Sequence, residues 1–165
     1  MRVLVTAGSR RGGTDGLACM LADDLRAEGL EAEVVTPGKV GVLDGYDAVI
    51  VGGALYANRW HRAARRFVRK HAAQLRERPA YFFSSGPLDD SATEREIPPV
   101  RQVRALMDQV GARGHATFGG RLTPDARGFP ASAMAKKMAG DHRDPKQVRE
   151  WAHGVAATLT GAADG

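Results

Sequence analysis

Residues 8–14 read Gly8-Ser9-Arg10-Arg11-Gly12-Gly13-Thr14, directly after a short apolar run and directly before a segment of helical periodicity. Glycines let backbone N–H groups close on an anion, and the start of a helix adds partial positive charge. Ser9 and Thr14 can donate hydroxyl hydrogens, and Arg10 and Arg11 can neutralise negative charge. That is chemistry for a phosphate monoester; the competing reading is an ordinary glycine-rich turn with solvated arginines. The dinucleotide fingerprint fails on glycine spacing, and the nucleoside triphosphate loop requires lysine where Thr14 stands. A phosphoacceptor domain would want aspartates at its strand ends, where Thr6-Ala7 and Gly52-Gly53 occur instead.

Positioning such a loop requires a strand ending at it and a helix beginning there. Residues 3–7 (VLVTA) read as a buried strand. From residue 14 to about 28, Leu17, Leu21 and Leu25 recur every four positions with Ala18 and Ala22 beside them, predicting an amphipathic helix that Gly29 ends. Residues 32–36 and 46–52 read as a weaker and a strong strand. A basic helix is expected from Trp60 to about residue 78, a fourth strand at 79–84, a helix at 99–112 and a fifth strand at 115–118. The last helix is expected over residues 145–160, with Asp144 as its cap, Pro145 in its first turn and Gln147 completing a capping box.

Strands joined by helix-length connections demand a parallel sheet covered on both faces, so the fold class is α/β with a five-stranded doubly wound sheet. Ligands of such sheets bind beyond the carboxyl ends of the strands, where the strand order reverses. One domain is expected over residues 1–160, with 161–165 as a flexible tail.

The run Ser9-Arg10-Arg11-Gly12-Gly13-Thr14 is similar to the phosphate loop of the flavodoxin-like family, which binds flavin mononucleotide (FMN). Gly52-Gly53-Ala54-Leu55-Tyr56-Ala57-Asn58-Arg59-Trp60 resembles the loop that places an aromatic near the isoalloxazine ring, and Ser84-Ser85-Gly86-Pro87-Leu88 resembles the second flavin-contacting loop. The likeness points to the branch of quinone-linked, menaquinone-dependent protoporphyrinogen oxidases and flavodoxin-domain proteins, and extends through Gly140-Asp141 and Trp151. It implies the strand order 2-1-3-4-5, FMN held by these three loops, and Tyr56 or Trp60 stacked on the ring. It also implies an oxidoreductase acting on a quinone or a porphyrinogen. A non-catalytic electron carrier, a protein using the deazaflavin coenzyme, and a phosphate-binding module without redox function are the alternatives.

The chain departs from the family pattern in three ways. Most flavodoxins are acidic, whereas here Lys and Arg number 24 against 19 Asp and Glu, giving 24 − 19 = +5. Asp15 stands just inside the first helix, where it must point outward or weaken anion binding, and Gly13 replaces a hydroxyl or amide residue. Residues 119–140 exceed what a strand-to-helix connection needs; a small helix at 130–139, bearing Met134 and Met138 on one face, would serve as a lid, a quinone contact or a cover for the sheet edge.

The chain of 165 residues suits one domain, and its lone Cys19 excludes an internal disulfide. No apolar run reaches the roughly 20 residues of a membrane span, and the start reads as a strand, so the cytoplasm is expected, with peripheral contact to the inner face of the membrane as a further expectation. Arg59, Arg62, Arg65, Arg66, Arg69 and Lys70 form either a solvated helix face or a docking surface. Expected partners are a small redox substrate or quinone, or an acidic redox protein; no nucleic-acid motif is recognised. The five histidines lack metal-site spacing, so no metal is expected, and His142 is the best placed for proton or substrate contact.

Overall fold

The computed structural model describes residues 1–9, 13–86, 97–119, 121–122, 140–141 and 143–161. Five parallel strands form the central sheet: β1 (Arg2–Gly8), β2 (Glu31–Val34), β3 (Ala48–Tyr56), β5 (Ala80–Ser85) and β6 (Gly114–Phe118). Their order is β2-β1-β3-β5-β6, which is 2-1-3-4-5 when the parallel strands alone are counted. A two-residue strand, β4 (Arg59–Trp60), pairs antiparallel with the end of β3, and β7 (Arg121–Leu122) pairs with β8 (Gly140–Asp141) as a separate ribbon.

The sheet is buried on both faces, which is why its strands read as near-continuous apolar runs. One face carries α1 (Gly13–Ala27) and α5 (Pro145–Thr160): Leu17, Leu21, Leu25, Val148, Ala152 and Val155 pack there on Val3, Val5, Ile50 and Phe83. The other carries α2 (Arg62–Lys70), α3 (Ala72–Arg76) and α4 (Arg101–Val110), with Phe67, Val68, Leu75, Val103 and Leu106 packed on Leu4, Val49, Val51 and Phe82. At the start of α5 the Asp144 carboxylate accepts the Lys146 N–H at 3.0 Å, so Asp144 caps the helix as expected, whereas the Gln147 Oε1 does not close the capping box.

Two elements differ from the sequence reading. β3 does not stop at Gly52; it continues to Tyr56 and turns back through Ala57 and Asn58, whose φ angles are 51° and 62°. Positive φ at both central residues is what a tight hairpin turn needs, and for alanine that conformation is strained. The turn takes Trp60 out of the expected helix and into β4. The helix then starts at Arg62 and breaks at His71 into α2 and α3. The expected helix at 130–139 and His142 lie outside the described residues, as do Arg10, Arg11, Gly12, Pro87, Leu88 and most of the tail. Among the described residues no helix is long and apolar enough to cross a membrane.

Candidate cofactor site

β1 and β3 end side by side, with Gly8 paired to Gly53, and the chain leaves them on opposite faces of the sheet. α1 starts at Gly13 on one face and α2 at Arg62 on the other, so two helix N-termini converge on the end of β1. Gly8 allows this approach: a Cβ there would lie 2.8 Å from the Ala64 nitrogen and 3.1 Å from Nδ1 of His61. His61 caps α2, its Nδ1 accepting the Ala63 N–H at 3.1 Å.

Thr14 sits in the first turn of α1, only 1% exposed. Its hydroxyl has no hydrogen-bond partner among the described residues. A buried hydroxyl left unsatisfied costs about 1–3 kcal/mol, and an anion held at the helix start would supply the missing partner. The first-turn N–H groups of α1 lack intrahelical acceptors for the same geometric reason. Asp15, beside Thr14 in the first turn of α1, is an exposed residue. Partial desolvation raises the pKa of its carboxyl, and neighbouring His61 opposes that rise. Ser9 follows β1 directly, half-buried.

Sequence reasoning missed Arg143. A Cβ on Gly16 would collide with its guanidinium, so this arginine, from the connection between β8 and α5, lies against the first turn of α1. Only the notch left by Gly16 signals it, and that signal has meaning only once α5 is packed beside α1.

The second loop is the β3–β4 hairpin. Ala54 is buried and its carbonyl accepts the His61 N–H at 2.8 Å; Leu55 is half-buried and lies against Gly86, while Tyr56 is 37% exposed at the hairpin end. The Tyr56 and His61 rings meet edge to face with centroids 6.0 Å apart. Ala57 and Asn58 form the exposed turn. Trp60 is 1% exposed and turned into the core, 4.9 Å from the Phe82 ring centroid. In this arrangement it has no face free for a flavin ring, which leaves Tyr56 as the surface aromatic of the pair. Gly53 makes room for Trp60: a Cβ there would meet its ring at 2.7 Å.

The third loop begins at Ser84, Ser85 and Gly86. Ser84 belongs to an interior hydrogen-bond chain rather than to the surface: its hydroxyl accepts the Trp60 Nε1–H at 2.9 Å and lies 2.9 Å from Nε2 of His115. Ser85 is buried in line with Ala54 and Phe118, and the Gly86 N–H is bonded to the Phe118 carbonyl. His115 is the second residue that spacing alone could not single out, since its role exists only through cross-strand contact with Ser84.

A doubly wound sheet with an anion-ready helix start at the β1/β3 switch point, flanked by loops after β3 and β5, is the architecture of a nucleotide- or flavin-binding α/β protein. The flavodoxin domain model matches residues 4–148, and the chain belongs to the flavodoxin-domain family. Family membership implies a flavin cofactor and a redox role, and the buried Thr14 hydroxyl at the α1 start fits a flavin phosphate. Nothing in the family match favours the deazaflavin coenzyme.

The chain is 31% identical over 86 residues to the protoporphyrinogen IX dehydrogenase (quinone) of Escherichia coli strain K12, a match spanning 51% of this chain and about half, 48%, of that relative. Among solved structures it resembles a flavodoxin from the domain Archaea, with a TM-score of 0.66, 12% identity and coverage of 97% of this chain and 99% of that one. It also resembles rubredoxin oxygen:oxidoreductase from Desulfovibrio gigas, with a TM-score of 0.66 and 14% identity over 97% of this chain and 36% of that one. At these identities the structural likenesses establish the fold.

Proposed function

We propose that this chain binds FMN with its phosphate at the start of α1 and acts as an oxidoreductase that passes reducing equivalents from a small substrate to a quinone. The observation that carries the cofactor reading is the buried hydroxyl of Thr14 at the start of α1, which has no hydrogen-bond partner among the described residues. Ser9, Arg10, Arg11, Gly12, Gly13 and Thr14 would hold the phosphate. Ala54, Leu55, Tyr56, Ala57 and Asn58 would line one side of the ring, and Ser85, Gly86, Pro87 and Leu88 the polar edge. A bound flavin supplies hydride and single-electron chemistry, so the protein's task is to position it and exclude water. The substrate reading, a porphyrinogen or quinone, rests on the partial likeness to the Escherichia coli dehydrogenase.

Thr14→Val is the discriminating variant. It preserves shape and removes the hydroxyl, so the FMN-free protein should be as stable as the parent or more stable, while FMN affinity falls about tenfold, the equivalent of roughly 1–2 kcal/mol. Urea unfolding and quenching of flavin fluorescence measure the two effects. Unchanged affinity would remove the phosphate from α1. With FMN bound, turnover of protoporphyrinogen with menadione as acceptor supports the enzyme; reduction by a partner protein without quinone turnover supports an electron carrier.

Arg10 and Arg11 belong in sequence to the first of the proposed flavin loops and Arg59 to the second, and positive potential favours the anionic reduced form of a flavin. The two-electron potential should therefore lie above that of an acidic flavodoxin. Dye-equilibration titration reads this directly, and a value at or below the acidic proteins would refute it.

A further inference from the structure

We propose that the outer face of α2 docks an acidic protein surface; that this partner exchanges electrons with the site rests on the redox reading above. Arg62, Arg65, Arg66, Arg69 and Lys70 stand at i, i+3, i+4, i+7 and i+8, so all five fall on one stripe of the helix. The stripe is about 12 Å long at 1.5 Å per residue. Ala64, Phe67 and Val68 are buried on the opposite side, against the sheet. The five cations line a single shallow depression.

Among the described residues nothing balances this charge. No Asp or Glu occurs between Asp47 and Glu77. Among the described residues no ion pair joins any of the five to an acid. Desolvation, together with Arg59, Arg69 and Arg62, lowers the pKa of Arg65. Like charges at helical spacing repel, so the fold carries an electrostatic strain that an external anion would relieve.

The position of the stripe points to its use. It begins two residues after Trp60, beside the Tyr56 to Arg59 hairpin, and so runs away from the mouth of the cofactor site. Its chemistry favours carboxylates on a protein: arginine forks bind them bidentately, and a partner helix can repeat them at the same spacing. Among the described residues the exposed large apolar ones are Met1, Val34, Val42 and Tyr56, none of them on α2, so the stripe offers no wedge for acyl chains. It also carries no aromatic on which nucleic-acid bases could stack.

Two double variants test the placement. Arg62→Glu/Arg66→Glu reverses the stripe, and Arg113→Glu/Lys146→Glu reverses exposed cations elsewhere. Each pair changes the net charge by four, from +5 to 5 − 4 = +1. Fluorescein-labelled poly-L-glutamate is titrated with each full-length protein by anisotropy, with and without FMN. Phosphatidylserine vesicles and a single-stranded oligonucleotide serve as competing probes. The parent should bind the polypeptide about tenfold more tightly at low than at physiological salt. The stripe variant should lose about tenfold or more of this affinity, and the control pair less than about twofold.

Equal losses in the two variants would overturn the proposal, because net charge rather than a surface would then explain binding. Tighter binding of vesicles or oligonucleotide than of poly-L-glutamate would overturn the choice of partner. Failure of the parent to bind FMN overturns the redox reading alone, since the polypeptide titration is also read without FMN.

Discussion

Phe83→Ala should lower the unfolding free energy by about 3–5 kcal/mol and Gly52→Ala by about 1–3 kcal/mol, but the double variant should lose about 1 kcal/mol or more less than the sum of the two. Phe83 is fully buried, with ring centroids of Phe118 at 6.0 Å and Trp151 at 6.4 Å. Its ring lies over Gly52, its cross-strand partner, so closely that any Cβ on Gly52 would fall inside the ring's van der Waals envelope. β3 cannot retreat, because β1 holds it on one side and β5 on the other. A methyl group at position 52 therefore strains the core only while the ring is present, and removing the ring leaves a cavity that the methyl group partly fills. Urea midpoints for the four proteins measure the coupling; strictly additive losses would show that the ring does not occupy that place.

Stability should also fall by roughly 3 kcal/mol as pH drops from 6.5 to about 4, through His115 alone. Burial, and secondarily the nearby Arg104, lower its pKa from the usual 6.5 to about 4. Nε2 of His115 lies 2.9 Å from the Ser84 hydroxyl, which also accepts the Trp60 N–H, and Nδ1 is buried without a partner among the described residues. The folded protein binds a proton at His115 less readily than the unfolded chain does. The histidine's contribution is therefore complete above pH 6.5, is lost progressively toward pH 4, and changes no further below it. His115→Gln can keep a hydrogen bond to Ser84 without titrating. Relative to the parent, its unfolding free energy should rise by nearly the full amount between pH 7 and pH 4. Parallel stability curves for the two proteins would contradict a neutral, half-buried His115.

The five parallel strands were legible because burial on both faces leaves nearly unbroken apolar runs, and α1 and α5 because leucine spacing and the Asp144-Pro145 cap are local signals. The expectation of a phosphate at the first loop came from a local signal too, since its glycines, hydroxyls and arginines are consecutive. Trp60 was misplaced. Its amphipathic surroundings read as a helix start, whereas the left-handed turn at Ala57 and Asn58, with alanine a poor signal for positive φ, folds it back against Gly53 and Phe82. Ser84 looked like a loop contact, and cross-strand register made it the middle of a buried chain linking Trp60 to His115.

The sequence by itself determined the α/β class and the run of positive charge over residues 59–70, and it raised the expectation of an anion at the first loop, because each depends on neighbours along the chain. Only the tertiary structure decided that Thr14 is buried without a partner among the described residues, that Arg143 lies on the first turn of α1, and that Tyr56 rather than Trp60 remains at the surface. Those facts depend on which residues distant in sequence meet across the sheet, and contact between distant residues leaves no periodic trace in the order of amino acids.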